Sequence, residues 1–205
     1  MRTPWTYPPD DSLSPAADSY DSLLQVSRRA DWRFLLPDPE LGRVACVTTD
    51  AELAEACSRL AASTVLLSVP EDGEPGAFDI VVLTGPSPAV LASAVALLRP
   101  GGWIYVELRP PLFRRRGTRD WIIAMERLGL VGVEAHRHWP DFSSAVEIVP
   151  LADACAIQNM LLRRTAAASV KKVVARLLSA AGLLGLVAPC ASLIGRAPEG
   201  TETGR

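Results

Sequence analysis

From Trp32 onward the chain alternates short apolar runs with stretches of helical periodicity, and this alternation limits what it can fold into. Arg43-Val44-Ala45-Cys46-Val47 is followed by Asp50 to Leu60, which holds Leu53, Ala56, Cys57 and Leu60 on one stripe. Thr64-Val65-Leu66-Leu67-Ser68-Val69 and Phe78-Asp79-Ile80-Val81-Val82-Leu83 come next, then a helical pattern from Pro88 to Leu98 and the run Trp103-Ile104-Tyr105-Val106-Glu107-Leu108. Strand, helix, strand in succession predicts an α/β fold, a mostly parallel sheet with helices on both faces. Ile80 to Leu83 is apolar on both sides, as a strand buried on both faces requires.

The punctuation agrees. Asp50 is predicted to cap its helix, and Pro100-Gly101-Gly102 to turn the chain from helix into strand. Thr118 is a candidate cap for a helix carrying Trp121, Ile122, Met125 and Leu128, which Gly129 closes before a strand from Val131 to His136. Residues 141–189 are expected to form a mostly helical insertion before Ala191-Ser192-Leu193-Ile194 completes the sheet.

Residues 1–29 are rich in Pro, Ser and Asp and poor in branched apolar side chains, so a flexible tail is expected there and a single domain over 30–205. The whole chain has 205 residues, 49% of them hydrophobic, with 21 basic and 23 acidic side chains. That balance fits one globular domain and argues against a protein whose main partner is nucleic acid. Cys46, Cys57, Cys155 and Cys190 lie far apart, with no pair at the spacing zinc or dithiol chemistry uses, and suggest a reducing compartment. The N-terminus shows Pro4, Trp5, Pro8, Pro9 and acidic residues where an export signal would need an apolar stretch, so the expectation is cytoplasmic. Leu177 to Gly195 is uncharged, but Gly182, Gly185 and Pro189 interrupt it. Val170, Val173, Val174, Leu177, Leu178, Ala181 and Leu184 follow the spacing of an amphipathic core helix. The rival, a helix lying on an anionic membrane through Lys171, Lys172 and Arg176, is the weaker reading.

Two segments resemble class I S-adenosylmethionine-dependent methyltransferases. Phe78-Asp79-Ile80-Val81-Val82-Leu83-Thr84-Gly85 is similar to that family's fourth strand. Leu97-Leu98-Arg99-Pro100-Gly101-Gly102-Trp103-Ile104-Tyr105-Val106-Glu107 is similar to the fifth, where a helix ends in L-x-P-G-G before the strand. The resemblance implies a Rossmann-like, methyltransferase-type fold with a reduced N-terminal half. It also implies a glycine-rich loop after the first strand and a carboxylate at the end of the second, for the cofactor's ribose. Here Val47 runs into Thr48-Thr49-Asp50-Ala51-Glu52, with no glycine. Either Val44 to Val47 is the family's first strand and a whole strand-loop-helix unit is lost, or it is the second, with Thr48 where the carboxylate belongs. Thr48, Asp50, Thr84 and Gly85 are the residues left to build a cofactor pocket, and Asp50 suits a helix cap better than a ribose ligand.

His136 and His138 are the chain's two histidines, and strand alternation sets them on one face near the end of the sheet where ligands bind. Either could act as a base, although a half-exposed, hydrogen-bonded strand end is the plainer reading. Arg109, Arg114, Arg115 and Arg116 cluster after the fifth strand. Guanidinium forks suit a phosphate, a carboxylate or an acidic partner surface, while a solvated loop is the ordinary alternative. No metal set is legible, and G-x-S-x-G, G-x-x-x-x-G-K-[ST] and H-E-x-x-H are all absent. The expectation is a methyltransferase-like protein without an ordinary cofactor, an accessory or scaffolding subunit in a biosynthetic pathway with a protein partner or as a homo-oligomer. The alternative is an active S-adenosylmethionine-dependent methyltransferase acting on a small molecule or peptide, with His138 as base.

Overall fold

The computed structural model describes residues 24–108, 117–153, 155, 156, 159 and 190–200. The expected helix around Val170 to Leu184, the cluster Arg109, Arg114, Arg115 and Arg116, and most of the expected helical insertion lie outside the described residues.

A short helix, α1 (24–29), leads into a 3-10 turn at Asp31–Leu35. Then follow β1 (Arg43–Val47), α2 (Ala51–Leu60), β2 (Ser63–Leu66), β3 (Phe78–Thr84), α3 (Pro88–Val95) and β4 (Leu98–Leu108). The helix α4 (Thr118–Arg127), β5 (Val131–Trp139), β6 (Glu147–Pro150) and β7 (Ala191–Arg196) complete the described chain. The strands form one sheet of seven in the order β2-β1-β3-β4-β7-β5-β6. β2, β1, β3 and β4 run parallel, whereas β7 enters antiparallel between β4 and β5, and β6 pairs antiparallel with β5.

Both sheet faces are buried, as the apolar runs require. Val44, Cys46, Ile80, Val82, Tyr105 and Ile194 pack under Leu53 and Cys57 of α2 and under Trp32. On the other face Ala45, Val47, Val81, Leu83, Ile104 and Val106 meet Leu91 and Ala94 of α3 and Trp121 and Met125 of α4. Asp50 caps α2 as expected, its Oδ1 accepting from the Leu53 N–H at 3.1 Å, and Ser87 caps α3 in the same way.

Several boundaries differ from the expectation. Residues 24–29, inside the expected tail, are helical, and the Arg29 side chain is only 2% exposed. Gly117, not Thr118, is the N-cap of α4. The expected insertion opens on a strand, β6, because Ile148 and Val149 find β5 free on that side. Pro100-Gly101-Gly102 lies within β4, where the register against β3 jumps from Phe78↔Leu98 to Ile80↔Trp103. Glycine is needed there twice over: Gly101 has φ +76°, and a Cβ on Gly102 would sit 3.0 Å from three backbone carbonyl oxygens.

The topology also decides between the two alignments. In a Rossmann sheet the first strand lies beside the fourth, with the second and then the third outside it. Here β1 lies between β3 and β2, and β2 is the sheet's edge. β1 is therefore the first strand, β2 the second, and the unit that would carry a third is absent between Leu66 and Phe78.

Candidate functional site

The strand order reverses between β1 and β3, since the chain goes outward from β1 to β2 and then crosses back to β3. Open α/β sheets bind ligands above the carboxyl ends of the strands at such a reversal. Thr48, Asp50, Thr84 and Gly85 meet there. The Thr48 and Thr84 hydroxyls are 2.8 Å apart, and the Asp50 N–H donates to Thr48 Oγ1 at 2.9 Å. Gly85, with φ +56°, turns the chain out of β3 while its N–H bonds to the Glu107 carbonyl at 2.8 Å. Beside them opens a cleft of about 460 Å³ lined by Val47, Thr48, Leu67, Ser68, Thr84 and Val90, among others.

On the α2 face of the same reversal, the space is filled by a buried polar centre. The Arg29 guanidinium donates to both Glu107 carboxylate oxygens, at 2.6 and 2.8 Å, and to Asp50 Oδ2 at 3.0 Å. Tyr105 Oη donates to Glu107 Oε1 at 3.1 Å. Glu107 and Tyr105 have no exposed surface. Trp32 stacks on the Tyr105 ring with centroids 4.2 Å apart. Burial alone would disfavour the Arg29 cation, but the hydrogen bond and charge of Glu107, with help from Asp50, outweigh it and hold the proton more tightly than usual. Burial, reinforced by the Glu107 charge, pushes the Tyr105 phenol up, so it stays a donor.

The histidines extend this centre toward β5. His138 Nε2 lies 2.8 Å from Ser192 Oγ, and its ring contacts Phe142 at 4.7 Å. Burial, with the charges of His136 and Arg29, lowers its pKa to about 3, and burial lowers that of His136 as well. Burial thus favours the neutral form of both. A neutral imidazole bonded to a serine hydroxyl can accept a proton, but Phe142 and the loop around it cover the pair, with Ser143 Oγ donating to Glu52 on α2 at 2.8 Å. His136 Nε2 approaches Glu134 at 3.7 Å. Among the described residues, no group of three His, Cys, Asp or Glu side chains could hold a metal, and no helix is long and apolar enough to cross a membrane.

The turn after β1, Thr48-Thr49-Asp50, contains no glycine. Asp50 gives one oxygen to the α2 cap and the other to Arg29. β2 ends at Leu66 and is followed by Leu67 and Ser68, which carry no charge.

Arg29, Glu107, Tyr105 and Ser192 escaped the sequence reading, although one signal was present. Glu107 near the end of an apolar strand implies a cationic partner, because a buried carboxylate without one is very costly.

No protein-family model matches the chain, and no curated protein matches it. Solved structures do. A Thermotoga maritima S-adenosylmethionine-dependent methyltransferase, described as a possible histamine N-methyltransferase, aligns with a TM-score of 0.46 at 11% identity, over 90% of this chain and 97% of that one. An Archaeoglobus fulgidus S-adenosylmethionine-dependent methyltransferase gives 0.46 at 11% over 91% and 100%. Haemonchus contortus phosphoethanolamine N-methyltransferase 2 gives 0.46 at 9%, over 88% of this chain; the chain spans 53% of that enzyme's length. By its strand order, with four parallel strands and β7 entering antiparallel, the fold is a Rossmann-like α/β sheet.

Proposed function

We propose that this protein is a methyltransferase-fold accessory or scaffolding subunit that works without an ordinary S-adenosylmethionine site and acts through protein contacts. The observation that carries this reading is Arg29. Its guanidinium holds Glu107 and Asp50 together at the strand reversal, so the carboxylates there have a resident cation. The glycine-free turn after β1 and the uncharged end of β2 act in the same direction. A shared fold does not carry an activity across such changes.

Calorimetric titration with S-adenosylmethionine and S-adenosylhomocysteine tests it, with melting followed in parallel, since a ligand that binds the folded state alone raises the melting temperature. No heat and no shift up to millimolar ligand is the expected result. Binding at micromolar strength overturns the proposal.

The open cleft over Thr48 and Thr84 favours a second reading, an S-adenosylmethionine-dependent methyltransferase with an unorthodox pocket and His138 as base. In that case, Phe142 would have to leave His138 before an acceptor could reach it. The same titration decides between the two.

A further inference from the structure

We infer that β2 is a docking edge, and that its occupant is β2 of a second copy of this chain, paired antiparallel about a two-fold axis. Ser63 donates its N–H to the Gly42 carbonyl at 3.2 Å, and Leu67 donates to that of Cys46 at 3.0 Å. Backbone groups alternate along a strand, so the N–H and C=O of Thr64 and Leu66 point away from β1. Among the described residues β2 pairs with β1 alone. The Leu66 side chain is 59% exposed and Val69 44%.

Natural sheets blunt such edges with charge or proline. The opposite edge does so, since β6 begins at Glu147 and ends at Pro150. β2 is short, at four residues, but has neither charge nor proline: no charged residue occurs from Leu60 to Pro70, and no proline until Pro70 itself. Among the described residues, the outward amides of Thr64 and Leu66 have no partner strand, and the chemistry that satisfies them is another strand.

The register makes a second copy the fitting strand. With Val65 on the axis, Thr64 lies opposite Leu66 of the partner subunit, and each pair exchanges two backbone hydrogen bonds through the outward-facing groups. Val65 meets its own counterpart, a β-branched pair at the close, non-hydrogen-bonded position. Every residue from Ala62 to Ser68 then faces an uncharged one. Beyond the strands, the same antiparallel course brings the Arg59 end of one chain, where Arg59 also pairs with Glu55 of its own helix, toward the exposed Glu71 end of the other. Such an interface is self-complementary, as a two-fold dimer demands. It produces a single sheet running through both copies.

Sedimentation velocity on the full chain, over a concentration series from micromolar upward, tests the inference. A dimer is expected for the natural sequence. Leu66→Pro removes one outward amide without touching the ladder to β1, and Leu66→Lys adds charge to the edge while leaving the backbone alone. Both variants should be monomeric, with the natural circular dichroism and melting. If Leu66→Pro proves unfolded, Leu66→Lys decides. A natural chain that stays monomeric throughout overturns the inference, as does a dimer of unchanged strength in the folded variants. The result is separable from that of the cofactor titration: a monomer that binds no S-adenosylmethionine sinks the dimer and leaves the proposed function standing, and a dimer that binds it does the reverse.

Discussion

The two sides of the strand reversal have gone opposite ways. On the α3 side, Thr48, Thr84, Leu67 and Val90 line an open cleft whose polar contacts are hydroxyls bonded to each other. On the α2 side, Arg29, Glu107, Asp50 and Tyr105 form a buried centre of paired charge. Neutral hydroxyls can trade a protein partner for water or ligand at little cost, whereas a buried ion pair binds its members strongly to each other. The cleft is thus the adaptable half of the site and the polar centre the fixed half.

The largest effect is expected from breaking the fixed half. Arg29→Met leaves Glu107 buried without its cation and should lower stability by about 3–5 kcal/mol in urea denaturation. Combining it with Glu107→Gln should recover much of the loss, because the stranded charge goes too. A small effect of Arg29→Met alone would show that the centre is not what ties α1 to the sheet.

The next effect is a dependence on pH. His138 has its pKa lowered to about 3 from 6.5 in the fold, so between those values the unfolded chain binds a proton that the folded chain does not. The stability is therefore complete above about pH 6.5 and is lost as pH falls toward 3, with His136 shifting in the same direction. Denaturation midpoints across that range should fall steeply for the natural chain and less steeply for His138→Phe. Equal slopes would place the acid sensitivity elsewhere.

Effects at the adaptable half should be smaller. Thr84→Val removes the hydroxyl that faces Thr48 and is expected to cost about 1 kcal/mol. A much larger loss would mean that the cleft is held as tightly as the centre beside it. Ser87→Ala, which deletes the α3 cap at the cleft mouth, should cost about 0.5–1 kcal/mol in the same assay.

The sequence reading recovered the main strands because their apolar continuity is local. Thr48, Asp50, Thr84 and Gly85 come together because all four lie at or just after the end of a strand, at the ligand-bearing edge of a parallel sheet. The sequence reading misjudged Arg29 for an equally physical reason. A Pro- and Ser-rich neighbourhood describes an average over the segment, whereas Arg29 is ordered by Glu107, which is 78 residues away. Pro100-Gly101-Gly102, a turn by its composition, does bend the backbone, but pairing with β3 absorbs the bend as an irregularity inside β4.

By itself, the sequence determined an α/β sheet buried on both faces, the capped helix at Asp50 and the glycine-free turn after β1, since each depends on neighbours within a few positions. Only the tertiary structure decided that β2 stands at the edge, that β1 is the first strand, and that the carboxylates at the reversal already hold a cation. Strand order and the pairing of buried charges arise from contacts between distant segments, and hydrophobic periodicity carries no record of which distant segment will arrive.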